Sequence, residues 1–424
     1  MTGTNFERQV EQHYRFNAIV NVLDSAFYLF GASFIAANTI LPLFVNRFTD
    51  NRLVIGLLST LSSSGWFLPQ IFTANWVQRL PRKKVGVVNV GLLSERLPVF
   101  LFVPAALLAV RFPTAALVSF FVFFTWYIFG AGSIAVSWQD MIAKIIPLDR
   151  RGRFFGIANF IATLMGVLGA ATAAWLLDRY AFPYNYALCF SAAAIAIFLS
   201  WVFLALTREP AQVSERTPVS RRAYWRSLLD VLRTDQNFRR YLLSRAVVNL
   251  GGMATGFLAV YAVQRWALTD SQAGRFTIST LVGQALGNLT LGALADRWGH
   301  KLTLVLGALL GGTAMGVAAL APAPAWFHAV FALLGFGMAG FIMSGLMIAF
   351  EFSAPDIRPT YIGLNNTLGG IVAALAPIIG GWLAGAIGYR GLFLVAFFFS
   401  LTGGALLYRT VREPRWRESW RESE

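Results

Sequence analysis

Two carboxylates and a guanidinium fall inside stretches that are otherwise apolar. Asp24 lies about seven residues into the run 18–46, about 10 Å deep at 1.5 Å per residue. Glu95 and Arg96 sit near the middle of the run 85–110. Ionisable groups are costly in hydrocarbon, and where they occur they point to function. A carboxyl group there can carry a proton or hold a cation, which makes Asp24 the first candidate for coupling, with Glu95 and Arg96 beside it. The plainer alternatives are a structural hydrogen bond for Asp24 and a structural ion pair for Glu95 and Arg96. Asn17, Asn21, Asp24 and Tyr28 recur at spacings of 4, 3 and 4, so they share one helical face, and Asn38 follows on a similar bearing. Glu95 and Arg96 are sequence neighbours and point about 100° apart on an α-helix, so each is expected to meet another helix.

Other polar residues in apolar runs could line a cavity. Thr280, Gln284 and Asn288 repeat every four residues, and Asn249 stands opposite Asp24 if the two chain halves are aligned at an offset of 225. Aromatic residues crowd the same runs, among them Phe27, Tyr28, Phe34, Phe123, Phe124, Trp126, Tyr127, Phe336 and Phe341. Amides orient a polar group and aromatics cover an apolar one. Together they favour an apolar or amphipathic ligand over a multiply charged one, and a sugar stays possible. No enzyme constellation and no phosphate-binding loop is present, and Gly311-Gly312 and Gly369-Gly370 lie inside apolar runs, where they suit close helix contact. One cysteine, Cys189, and three scattered histidines exclude a disulfide framework and make a metal site or cofactor unexpected.

These residues need membrane helices to hold them. Of 424 residues, 57% are hydrophobic and 13% charged, and mean hydropathy is +0.60. A soluble chain would carry about a quarter charged residues. Twelve runs are long enough to span a bilayer, each needing ~20 residues: 18–46, 53–77, 85–110, 113–143, 154–177, 184–206, 240–265, 272–295, 301–321, 325–353, 360–387 and 390–410. The polar stretch between the sixth and seventh splits them six and six. With the N-terminus cytoplasmic, the cytoplasmic segments hold 27 Lys and Arg against 7 outside, counting nine in the central linker. The bias places both termini inside an inner or plasma membrane. It also accounts for the net charge of +15 through contact with anionic lipid, so nucleic acid is not an expected partner. The polar residues 1–16 do not read as a cleaved signal, so the first run is expected to remain.

The halves repeat. Thr207-Arg-Glu-Pro210 follows the sixth run and Val411-Arg-Glu-Pro414 the twelfth. Asp149-Arg-Arg-Gly and Asp356-Ile-Arg-Pro occupy the fourth and tenth connections. Between runs 8 and 9 stands Gly292-Ala-Leu-Ala-Asp296-Arg297-Trp-Gly299-His-Lys301. Its first-half partner is Ala74 to Lys84, with Gln78, Arg79, Pro81, Arg82 and Lys83. The pattern G-x-x-x-D-R-x-G-x-K between two membrane helices resembles the loop signature of the major facilitator superfamily of secondary transporters.

The resemblance implies an all-α polytopic membrane protein, with twelve transmembrane helices in two pseudo-symmetric six-helix bundles that expose a central cavity to either side in turn. The expected parts are an N-terminal bundle over 1–207, a cytoplasmic linker over 208–238 with an amphipathic helix near Tyr224–Arg233, and a C-terminal bundle over 239–424. Helices 1, 4, 7 and 10 would face the cavity. Asp296 would latch the cytoplasmic side by meeting the positive end of helix 5, near Arg153–Gly156. Asp140 would join Arg82 or Lys83, and Glu351 holds the related place in the second half; both are gate rather than ligand candidates. Gln78 replaces the acid in the first copy, so the gate is expected to be asymmetric. Many members also carry an arginine four residues before a G-x-G in helix 4. Here Trp126 stands before Gly130-Ala-Gly132.

The implied activity is alternating-access secondary transport of a small organic solute by a monomer, proton-coupled or ion-coupled, with export favoured over uptake. Facilitated movement of sugar-like solutes is one alternative. A non-transporting membrane sensor or assembly factor is another.

Overall fold

A computed structural model describes residues 3–147, 150–211, 230–353 and 358–416. The described residues form helices and no strand. In chain order these are α1 (Gly3–Ser33), α2 (Ile40–Asn46), α3 (Arg52–Arg79), a π-helical stretch (Gly86–Val90 and Leu92–Arg96) leading into α4 (Leu97–Leu107), α5 (Pro113–Ile145), α6 (Arg151–Arg179) and α7 (Tyr184–Ala205). The second half holds α8 (Gln236–Gly251), α9 (Leu258–Trp266), α10 (Asp270–Gly274), α11 (Phe276–Trp298), α12 (His300–Leu320), α13 (Trp326–Phe352) and α14 (Arg358–Thr410). The linker helix expected near Tyr224–Arg233 falls mostly on residues outside the described set.

Nine stretches among the described residues are long and apolar enough to cross a membrane. The last, Tyr361–Thr410, covers 50 residues and holds two of the twelve runs, broken at Gly388, where φ is +74°. A left-handed φ of this kind excludes most other side chains. The two remaining runs are α1 with α2, and α3. Phe72, Phe160 and Leu289 are each more than 70% exposed, as lipid-facing side chains must be.

The helices cluster into two units. One contains residues 1–50, 61–217 and 268–278; the other contains 51–60, 218–267 and 279–424. In the first, α1 packs on α6 and α7, and α4 on α5 and α7. Its core is aromatic. Phe44 meets Phe120 and Phe190 at 5.0 and 5.2 Å between ring centres, and Phe102 meets the same two at 5.5 and 5.6 Å. Phe34 and Phe124 are also buried, so these aromatics act as packing. The segment 268–278 joins this unit through Asp270, which accepts hydrogen bonds from Arg47 at 2.7 Å and Tyr186 at 2.9 Å. In the second unit α8 packs along α14, and α12 against α13 and α14. Phe238, Tyr241, Phe352 and Tyr361 fill its core, with neighbouring ring centres 4.5 to 5.9 Å apart.

Candidate functional site

The intramembrane ionisable residues of the first unit form one cluster. Asp24, on α1, is 5% exposed and accepts a hydrogen bond of 2.6 Å from Ser200 on α7. The Trp138 indole of α5 also donates to it. One turn on, Tyr28 donates to Glu95 at 2.9 Å, and Tyr127 of α5 lies within hydrogen-bond reach of Tyr28. Glu95 and Arg96 are each 3% exposed and form an ion pair with each other. This corrects the expectation that neighbours in sequence would point apart. They sit in a π-helical turn, whose wider winding turns consecutive side chains through a smaller angle, and the arginine's length does the rest. Asp24 lies in the field of the same guanidinium. Two carboxylates thus share one cation in an apolar interior.

The helix α5 holds the π-helical turn in place through glycine. A Cβ on Gly130 would lie 1.8 Å from the Ser94 carbonyl oxygen. The G-x-G motif therefore works here as a contact surface for the strand of backbone that carries Glu95 and Arg96.

At the helix ends that meet residues 207–209 and 411–413, each unit is tied by the same device. In the first, Asn17 donates to the Arg208 carbonyl at 2.9 Å and accepts from its N–H at 2.8 Å. In the second, Asn237 does the same with Arg412, at 3.0 and 2.9 Å. The matched pairs align α1 with α8 at an offset of 220. Ser244, rather than Asn249, is therefore the counterpart of Asp24, and the expected offset of 225 is replaced. The glutamates next in line close the loops. Glu209 accepts from the Lys83 and Lys84 amides at 2.9 and 2.7 Å and from Lys144 Nζ at 2.9 Å. Glu413 accepts from the Lys301 amide at 3.0 Å. Gly299 has φ +91°, a backbone conformation that favours glycine, and a Cβ there would meet the Glu413 carboxylate. Burial pushes the Glu413 carboxyl up to about 7; the neighbouring Glu351 adds to the rise, and the Lys301 N–H opposes it. Glu209 and Glu413 went unassigned in the sequence, although the repeated Arg-Glu-Pro was a visible signal.

The remaining candidates are dispersed. Asp140 lies 3.6 Å from Lys83. Glu351 pairs with Arg415 at 3.0 Å and faces His300 at 3.8 Å. Asp296 and Arg297 are exposed, and the Asp296 carbonyl accepts from Arg415 at 2.8 Å. Gly292 is buried, with Met343 2.8 Å from where its Cβ would be. Arg82 is exposed and shares a cleft of about 460 Å³ with His13, Arg208 and Glu209. The side chains of Gln78 and Arg79 lie outside the described set. Asn21 donates to Thr207 at 3.1 Å, which makes it part of the helix-end tie. Asn38, Gln284 and Asn288 are half-buried and Trp126 is 41% exposed; the last two amides belong to the second unit, apart from the acid cluster.

One polar group was missed. Arg245, counted with the linker cations in the sequence, lies within the membrane-spanning stretch Gln236–Trp266. Tyr241, Arg245 and Asn249 share a face of α8 at spacings of four, a signal present in the sequence. The Arg245 guanidinium binds the Tyr241 hydroxyl at 2.9 Å, the Gly345 carbonyl at 3.2 Å and the Asn365 side-chain oxygen.

Comparison with known proteins places this arrangement. The family model for the Major Facilitator Superfamily matches residues 23–266 and 241–423. The niacin transporter NiaP of Acinetobacter baylyi is 28% identical over 156 residues, covering 35% of this chain and 36% of that protein. The cis,cis-muconate transport protein of the same organism is 24% identical over 292 residues, covering 64% and 67%. The aligned stretch thus spans about a third of the first relative's length. A POT family transporter crystallised with 5-aminolevulinic acid superposes with a TM-score of 0.71 at 13% identity, covering 92% of this chain and 95% of that one. The chain is a multi-pass membrane protein, and it belongs to the major facilitator superfamily.

Proposed function

We propose that the protein is a proton-coupled secondary transporter that works by alternating access, with the proton carried in the cluster of Asp24, Glu95, Arg96, Tyr28 and Tyr127. The observation that carries this reading is the charge count. Two buried carboxylates answer to one guanidinium, with three further donors, Ser200, Trp138 and Tyr28, around them. In low dielectric an uncompensated charge is expensive, so a proton on one carboxylate balances the cluster, and its loss and gain mark two states. Relatives named for niacin and for cis,cis-muconate support a small organic cargo. The basic cytoplasmic segments support an inner or plasma membrane with both termini inside, and contact with anionic lipid. A monomer is the oligomeric state adopted. Export is the direction adopted.

The test is flux in proteoliposomes holding a pH-sensitive dye, with niacin and cis,cis-muconate as first solutes and orientation fixed by protease access to the tail. Solute should drive a proton flux that Asp24→Asn abolishes while the purified variant stays monodisperse. Unchanged proton-linked flux in that variant removes Asp24 from the mechanism, and solute movement insensitive to a protonophore replaces coupling by facilitated transport. Accumulation inside against a gradient, driven by an inward proton gradient, replaces export by uptake.

A further inference from the structure

The acid cluster leaves the second unit's own intramembrane charge unexplained. Arg245 sits on α8 about nine residues from its start, or ~14 Å along the helix. Among the described residues no carboxylate is in contact with it: its three partners are the Tyr241 hydroxyl, the Gly345 carbonyl and the Asn365 amide oxygen, all neutral. All three accept from the same nitrogen, Nη1. The opposite edge of the guanidinium is differently treated. Nε is buried and has no partner among the described residues. Glycines face that edge from two helices. A Cβ on Gly369 of α14 would come 3.6 Å from Nε, and one on Gly345 of α13 would come 3.4 Å from Nη2. Larger side chains there would fill the space beside the Nε–Nη2 edge.

An arginine in a membrane span is retained at considerable cost and by default has a partner. Anchoring it through one nitrogen to three neutral acceptors fixes its plane and keeps its full charge. The planar Nε–Nη2 edge presents two parallel N–H groups, the geometry that matches a carboxylate bidentately. Asn249 holds the adjacent backbone by donating to the Gly369 carbonyl at 3.2 Å, and Asn366 lies 3.4 Å from the Asn365 amide. A single guanidinium among amides suits one negative charge.

We infer that the Nε–Nη2 edge of Arg245 is a carboxylate-binding site, so that the transported solute is an organic monocarboxylate. This rests on the reading of the chain as a carrier of small organic solutes. It also gives the two units complementary charge: the first carries a surplus carboxylate that a proton neutralises, and the second a surplus guanidinium that the solute neutralises.

The experiment uses purified full-length protein and follows thermal unfolding by tryptophan fluorescence with a panel of monocarboxylates and their primary amides, benzoate against benzamide first. A ligand that binds only the folded state raises the melting temperature by mass action. Benzoate or another acid of the panel should raise it and the matched amide should not. Arg245→Gln should weaken acid binding on the order of a hundredfold, and Arg245→Lys should keep part of it. If Arg245→Gln does not fold, Gly369→Ala serves instead. Its methyl makes only ordinary contacts, 3.6 Å from Nε and 3.7 Å from Asn249, so the fold is kept and acid binding should fall. Asp24→Asn should keep the acid-induced shift while losing proton flux, which separates failure of this site from failure of the coupling cluster. The inference is overturned if no acid of the panel shifts the melt, if amides bind as well as acids, or if folded Arg245→Gln (or, where that does not fold, Gly369→Ala) binds acid as the parent does.

Discussion

Replacing Glu209 by glutamine should loosen the first unit far from any transported solute. The Glu209 side chain is fully buried and takes three hydrogen bonds, from two consecutive amides and from Lys144. Glutamine keeps the shape, removes the charge and turns one oxygen into an NH₂ group that faces an N–H. Hydrogen bonds to a charged acceptor contribute ~1.5–3 kcal/mol each, and breaking a buried ion pair by removing one partner costs about 3–5 kcal/mol. Lys144 keeps a second acceptor, the Pro81 carbonyl at 2.9 Å, so the expected cost is near the lower end, about 3 kcal/mol. That corresponds to roughly a hundredfold rise in the open population. The protein carries its own reporter. Cys189 is the sole cysteine and is 0% exposed within the same unit, and its labelling by a maleimide fluorophore tracks opening when reclosing is faster than reaction. Glu209→Gln should speed labelling by roughly a hundredfold, whereas Glu413→Gln, in the other unit, should leave it within about twofold. A rise of less than about threefold for Glu209→Gln would refute the argument that this carboxylate clamps the loop.

Three further expectations follow from individual contacts. Glu413 is raised to about 7 in the folded state from 4.5, so folding takes up a proton between these values and its contribution to stability, full below 4.5, is lost as pH rises towards 7. Glu413→Gln should flatten the pH dependence of melting across that window; an unchanged slope would show that this carboxyl does not set it. Gly130→Ala should destabilise by about 1–3 kcal/mol or more, because the methyl would drive into the Ser94 carbonyl, and the shift would displace Glu95 and Arg96. Its check is a lowered melting temperature together with lost proton-linked flux, and normal values for both would contradict the close approach. Asp24→Asn should abolish solute-driven proton flux with the fold retained, as measured in proteoliposomes.

Much of the architecture was legible in the chain. Apolar runs of bilayer length fixed the helices, the six-and-six division and the repeated Arg-Glu-Pro marked the two halves, and the loop at Gly292–Lys301 carried the family. Asp24, Glu95 and Arg96 were legible as costly charges in apolar surroundings. Their meeting was not. The Glu95–Arg96 pair depends on a π-helical turn pressed against Gly130, a departure from α-helical bearings that no hydropathy pattern encodes. Arg245 was counted with the linker cations although it lies near the start of the apolar run 240–265, because the depth of a residue depends on where its helix enters the membrane.

Hydrophobic periodicity is a local property, so residue order alone determined which segments become membrane helices and which side chains are too polar to be there by accident. The partners of those polar side chains lie on other helices, 176 positions away in the case of Asp24 and Ser200. Which ones meet is set by the rotation and depth of each helix against its neighbours, and only the packed tertiary structure decides that.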